Sequence, residues 1–301
     1  MKKRGKLRHI VRSPSLSRDP AALNAGLARA ENVEAVLNIA RWHLQEFDVT
    51  HVVTALHRIA KTSGTVQREK ALQFQEHRLH QRLHDLTSAE HGGCALSQRH
   101  FANLLWAFAS TSAVGADMAL VHGMCSEMAL CQERFLPQHC ANSLWAMAVL
   151  QVRSEPLLTS LCSAAGQRAM EFKLQELSSS LWAMATLQLK EVDVATTLAE
   201  VASTQVSTSN PQALVNTMWA MAVMDVAGLG RDGVFQAAVA DSLLLSPQHA
   251  VNAMWALASA EEAPSPVAAE ALLQFAKHHA DNDGFSPQHL ANSMWAAAVL
   301  S

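Results

Sequence analysis

Five asparagines, Asn103, Asn142, Asn216, Asn252 and Asn292, each stand three residues ahead of a tryptophan, and Ser179 holds that place before a sixth. A carboxamide offers donors and an acceptor together, which suits it to read a base edge or hold a peptide backbone. Four residues before each of these positions come Gln138, Gln175, Gln212, Gln248 and Gln288, with Arg99 replacing glutamine in the first copy. His100, His139, His249 and His289 follow that column by one residue, beside Glu176 and Ala213 in the other copies. Imidazoles one repeat apart, roughly 9–10 Å for packed helices, cannot share a metal ion. The chemistry these columns offer is hydrogen bonding, repeated along the chain.

The elements that carry them are set by the tryptophans. Trp106, Trp145, Trp182, Trp219, Trp255 and Trp295 are spaced by 39, 37, 37, 36 and 40 residues, a period that predicts an all-α fold, an α-α superhelix of helix-turn-helix repeats. Each unit buries one face on its neighbours and leaves an extended surface for a ligand. Ser246-Pro247, Ser286-Pro287 and Asn210-Pro211 read as helix starts, with a capping side chain and proline at the first helical position. First helices should end near Leu150, Leu187, Met224 and Leu300. Second helices follow at Leu157, Leu158, Leu161 and Ala165, at Val194, Leu198 and Val201, and at Ala268, Leu272 and Phe275.

On a wheel at about 100° per residue, the apolar arc of the first helix holds Leu144, Leu181, Met218, Met254 and Met294, with Phe101, Leu177, Leu214 and Leu290. The Gln, Asn and His columns, and a Ser or Thr two before Trp, fall on the polar face. An interior asparagine costs a helix about half a kcal/mol relative to alanine. Five of them require an offsetting bond, either in an Asn ladder between successive first helices or to a ligand. The glutamines either satisfy free amides at the helix start or contact the ligand. Trp lies at the border of the apolar arc, where it serves inter-repeat packing or base stacking.

Upstream, Thr54-Ala-Leu-His-Arg-Ile-Ala60 aligns with Asn142-Ser-Leu-Trp-Ala-Met-Ala148, so His57 takes the Trp column in a degenerate earlier repeat. Residues 20–46 read as the first helix pair. The predicted organisation is a basic leader over 1–18, degenerate helical repeats over 19–96 and six repeats over 97–301. The last repeat is truncated at Ser301 within its first helix, which leaves a terminal unit without a cap.

Composition narrows the function classes. The chain has 301 residues, is 50% hydrophobic and carries a formal charge of −3, which is enough for a sizeable core. No apolar run reaches the roughly 18 residues of a membrane span. Lys2, Lys3, Arg4, Lys6, Arg8, Arg12 and Arg18 fill an acid-free start with Ser13, Ser15 and Ser17. That pattern resembles an organelle transit peptide, and also fits a basic tail or a nuclear signal. Past it, 16 basic residues face 26 acidic ones, which opposes nonspecific phosphate binding. Cys94, Cys125, Cys131, Cys140 and Cys162 lack paired metal spacing and read as small apolar residues. His77, His80 and His84 share a helix face without a carboxylate or thiol to complete a metal site. Gly228, Gly230 and Gly233 form a Gly-x-Gly-x-x-Gly that follows a helix rather than a strand, so an interhelix loop is expected there. No catalytic motif or cofactor site is recognisable, and the expected function is non-enzymatic, with no small-molecule substrate.

The units Leu136-Pro-Gln-His-Cys-Ala-Asn-Ser-Leu-Trp-Ala-Met-Ala148 and Ser286-Pro-Gln-His-Leu-Ala-Asn-Ser-Met-Trp-Ala296 resemble octotricopeptide repeats, the helical pairs of organellar RNA-binding proteins. Similar arrays occur in FAST-kinase-domain and RAP-domain proteins and in helical-repeat subunits of kinetoplastid RNA-editing complexes. Val53-Thr-Ala-Leu-His-Arg-Ile-Ala60 looks like the start of such proteins. The resemblance covers residues 20 to 301. It implies binding of single-stranded RNA in a mitochondrion or plastid, in support of RNA processing, stability, editing or translation, with protein partners in the same complexes. It would place Arg99, Asn103, Gln138, Asn142, Gln175, Ser179, Gln212, Asn216, Gln248, Asn252, Gln288 and Asn292 against the RNA, about one nucleotide per repeat. The alternative is an armadillo-like scaffold whose acidic body steers a basic, extended peptide.

Overall fold

The computed structural model describes residues 19–62, 77–85, 96–111, 118–130, 135–205, 211–226, 246–259, 270, 273–274, 277 and 285–300. Every regular element among them is helical, and the chain divides into two compact units, Met1–Leu96 and Ser97–Ser301. The basic leader, Asn210, the Gly228–Gly233 segment, Cys94, Cys131 and the second helix expected at Ala268, Leu272 and Phe275 lie outside the described residues.

In the first unit, α1 (Pro20–Arg29) and α2 (Val33–His43) form the pair expected over 20–46, and a 3₁₀ turn follows at Leu44–Glu46. Asp19 caps α1 and Asn32 caps α2, the latter accepting from the Ala35 amide at 2.9 Å. Helix α3 (Val49–Thr62) packs on both through buried Val52, Val53, Leu56 and Ile59. Helix α4 covers 77–85, with Leu79 and Leu83 buried. His77, His80 and His84 lie on α4, and among the described residues no three His, Cys, Asp or Glu side chains are grouped to hold a metal ion.

The second unit is an α-α solenoid in two layers. Its first helices are α5 (Gln98–Ser110), α7 (Pro137–Leu150), α9 (Leu174–Thr186), α11 (Pro211–Val223), α12 (Pro247–Ala258) and α13 (Pro287–Leu300), each packed against the next. The second helices α6 (Met118–Leu130), α8 (Glu155–Gln167) and α10 (Val192–Thr204) form the other row. Close approach within the first row rests on a column of buried small residues, Ala107, Ala146, Ala183, Ala220 and Ala256, one after each Trp. Leu144, Leu181, Met218 and Met254 are buried as expected. In α13 the same arc is open, with Leu290, Met294 and Trp295 exposed.

Three first helices stop by one device. Six residues after their Trp, Gln151, Gln188 and Asp225 adopt left-handed φ of 55°, 53° and 52°. The amides of the next residues, Val152, Leu189 and Val226, reach back to the carbonyls of Met147, Met184 and Met221 at 2.9, 3.0 and 2.9 Å, and their side chains are buried. This is a Schellman closure with its hydrophobic contact. It turns each chain into the second layer.

The helix starts also repeat, and here the histidines act. The Ser97 hydroxyl accepts from the His100 amide while His100 Nδ1 accepts from the Ser97 amide, at 3.4 and 3.3 Å. Ser286 and His289 do the same at 3.2 and 3.3 Å. In α9 the carboxylate of Glu176 takes the place of the imidazole and accepts from the Lys173 amide at 2.9 Å. These are capping boxes with His or Glu at the third helical position. Among the described residues no glutamine of the column caps a helix start; His100 and His289 do that work, whereas the buried Nδ1 of His139 does not. In the first unit Asp48 and His51 form an identical box at 3.0 and 3.2 Å, six residues before His57.

A brace within the repeat recurs at α3. Phe47, Leu96, Phe135 and Phe172, each ten residues before the Trp column or His57, are buried. Arg168 at the end of α8 donates to the Phe135 carbonyl, Gln205 at the end of α10 donates to the Phe172 carbonyl at 2.8 Å, and Arg82 of α4 donates to the Phe47 carbonyl at 3.0 Å. A return element thus ties down the entrance of its own repeat three times.

Candidate functional site

Residues seven and three before Trp, Trp itself and the residue four after it fall on one stripe of the first helix. All six members of the Asn/Ser column are half-buried, and all six of the Gln/Arg column are exposed. The Ser and Thr two before Trp do not join them, contrary to the wheel. Ser143, Ser180, Thr217 and Ser293 are buried. Ser180 and Thr217 satisfy their hydroxyls on the carbonyls of Glu176 and Ala213, one turn back in their own helices, at 2.8 and 2.9 Å. A hydroxyl bonded this way presents an apolar exterior, so it tolerates the interior.

The columns meet in a groove of about 320 Å³ across four consecutive first helices. Trp145 and Trp182 line its α7 and α9 side, and Gln248, His249 and Asn252 line the α12 side. Between them lie Gln175 and Ser179 of α9 and Gln212 and Asn216 of α11. Six of the expected contact residues, Gln175, Ser179, Gln212, Asn216, Gln248 and Asn252, are therefore gathered in one place. Arg99, Asn103, Gln138, Asn142, Gln288 and Asn292 occupy the same stripe on α5, α7 and α13 without lining this groove.

Among the described residues the groove lining carries no carboxylate, ammonium or guanidinium. The titratable group of that lining is His249, whose pKa burial lowers, so the neutral imidazole predominates at pH 7. Such a lining offers amide donors and acceptors beside indole faces. It suits a ligand that is flat and edged with polar groups, or an extended backbone.

The Asn column is the chief finding. No bond joins one asparagine of the column to the next among the described residues; the buried polar tie between α9 and α11 is instead the Ser178 hydroxyl donating to the Ala213 carbonyl at 2.8 Å. Asn252 pairs only with Gln248 of its own helix, at 2.9 Å. The side chains of Asn103, Asn142, Asn216 and Asn292 make no hydrogen bond to described protein groups. The ladder expected as one of two explanations is not built, and the side-chain amides remain available to a ligand.

The tryptophans, left between packing and stacking by sequence alone, are found both in contact between repeats and on the wall of the groove. Trp255 and Trp295 contact across adjacent repeats with centroids 6.5 Å apart at 31°, while Trp145 and Trp182 are half-buried and line the groove. Their part in the lining could have been read from the wheel, where Trp sits about 60° from Asn. The buried thiols are no site. Burial pushes Cys125 up to about 11 and Cys140 and Cys162 to about 12, and all three are free. Among the described residues no helix is long and apolar enough to cross a membrane. No family model and no curated protein matches the chain.

Proposed function

We propose that this protein binds single-stranded RNA along the amide-and-indole stripe of its first helices, as a non-enzymatic factor in organellar RNA processing, stability, editing or translation. The observation that carries the proposal is the Asn column: asparagines held inside helices at a cost, half-exposed in register, and unpaired with neighbouring helices. Bases present acceptors and donors to such amides and flat faces to Trp145 and Trp182. With no cation in the groove, base contacts rather than phosphates supply most of the affinity there. The basic leader is the address that would take the chain to a mitochondrion or plastid.

Fluorescence anisotropy with labelled single-stranded RNA tests this. Replacing Asn142, Asn216 and Asn252 by alanine together should weaken binding about tenfold or more, while circular dichroism and the thermal midpoint show a retained fold. Unchanged affinity in that variant would refute the groove as the RNA site. Failure of the full chain to bind RNA, with binding of a basic extended peptide, would replace the proposal by the scaffold reading that the acidic body favours.

A further inference from the structure

The groove holds a hydrogen-bond relay that fixes which way one amide points. At the start of α13, His289 Nδ1 accepts from the Ser286 amide at 3.3 Å as part of its capping box. The ring proton therefore sits on Nε2, which faces Gln248 Oε1 of the preceding repeat at 2.6 Å. With its oxygen committed as acceptor, Gln248 turns its Nε2 toward Asn252 Oδ1, 2.9 Å away. That bond fixes the flip of Asn252 and fills one of its oxygen's two acceptor sites, so the polar group it leaves wholly unpaired for a ligand is the Nδ2 pair of hydrogens. A free asparagine can flip and greet either a carbonyl or an amino group. This one is set as a donor by a chain of three bonds that begins at a backbone amide one repeat away.

Resting on the RNA reading above, we infer that Asn252 is a specificity-determining residue that accepts a base with a carbonyl oxygen on its edge and disfavours one with an amino group there. Gln248 and His289 are its positioning residues. Uracil and cytosine test this chemistry, because at position 4 the first carries a carbonyl and the second an amino group, with the adjacent N3 changing from donor to acceptor. An amino group would bring its hydrogens against those of Asn252.

The test measures the full chain against labelled uridine and cytidine oligomers of equal length, by anisotropy. Wild type should favour the uridine oligomer. Asn252→Asp, which presents only acceptor oxygens, should move the ratio toward cytidine by about fivefold, the size of one hydrogen bond. Gln248→Met cuts the relay without touching Asn252 and should move the ratio toward equality, which serves if the aspartate variant is poorly folded. Retention of the wild-type ratio in both variants, with RNA still bound and still weakened by Asn216→Ala, would overturn the relay and leave the groove standing. Absence of binding to either oligomer by wild type would overturn both.

Discussion

Residue types repeat down this chain for two different reasons, and the structure separates them. Histidines of one column serve the fold where His51, His100 and His289 return a bond to the backbone at the residue that caps them. The Asn column, one turn further on, closes no such bond. Ser97→Ala should therefore lower stability by about 1 kcal/mol without altering a ligand site on α7 to α12, as thermal unfolding would show. The pH dependence follows from His249. Its pKa is lowered in the folded protein, so the unfolded chain takes up a proton first as pH falls through about 6.5. Stability is thus highest above that value and declines down to the lowered folded pKa. His249→Gln should show a smaller loss of thermal midpoint between pH 7 and pH 5 than wild type. The capping role was hard to read from sequence because a histidine at the third helical position is not the familiar Glu or Gln partner. The glutamines, sitting nearer the helix start, seemed better placed.

At the scale of the element, periodicity did most of the predictive work. Trp register located each described first helix to within a residue or so, because a 36- to 40-residue spacing leaves few ways to stack helix pairs. The turns were less legible. Gln151, Gln188 and Asp225 stand in left-handed backbone that glycine adopts more cheaply. Their helical neighbours hide them from composition. Gln151→Gly should stabilise the protein by about 0.5–1 kcal/mol in denaturant unfolding, the strain of an L-residue in that region less the entropy that glycine loses. The wheel also misplaced Ser180 and Thr217, since it counts a hydroxyl as polar even where the helix backbone absorbs its hydrogen bond. The braces at Arg168, Gln205 and Arg82 span more than thirty residues and left no local signal. Arg82→Met should cost about 1–2 kcal/mol, because a partly buried carbonyl loses its donor, and Arg168→Met should lower the thermal midpoint for the same reason. Similar losses would support α3 as a first helix of the same repeat.

For the molecule as a whole, one layer holds the fold and one stripe of that layer is left over. The alanines, Leu144, Leu181, Met218 and Met254 pack the first helices, and the second helices lock each repeat's entrance from behind. What lines the groove along that stripe is amides, a hydroxyl, indoles and an imidazole kept neutral by burial. Charge was the weaker guide, since an acidic body and a basic leader pointed in opposite directions while the groove has neither sign. On the proposed function, RNA lies along this stripe. Ultraviolet crosslinking of the full chain to single-stranded RNA, with the modified peptides mapped by mass spectrometry, tests that placement. Crosslinks are expected on the first helices, at Trp145, Trp182 and their neighbours around Asn216 and Asn252. Crosslinks confined to residues 1–18 or to the second helices α6, α8 and α10 would contradict it.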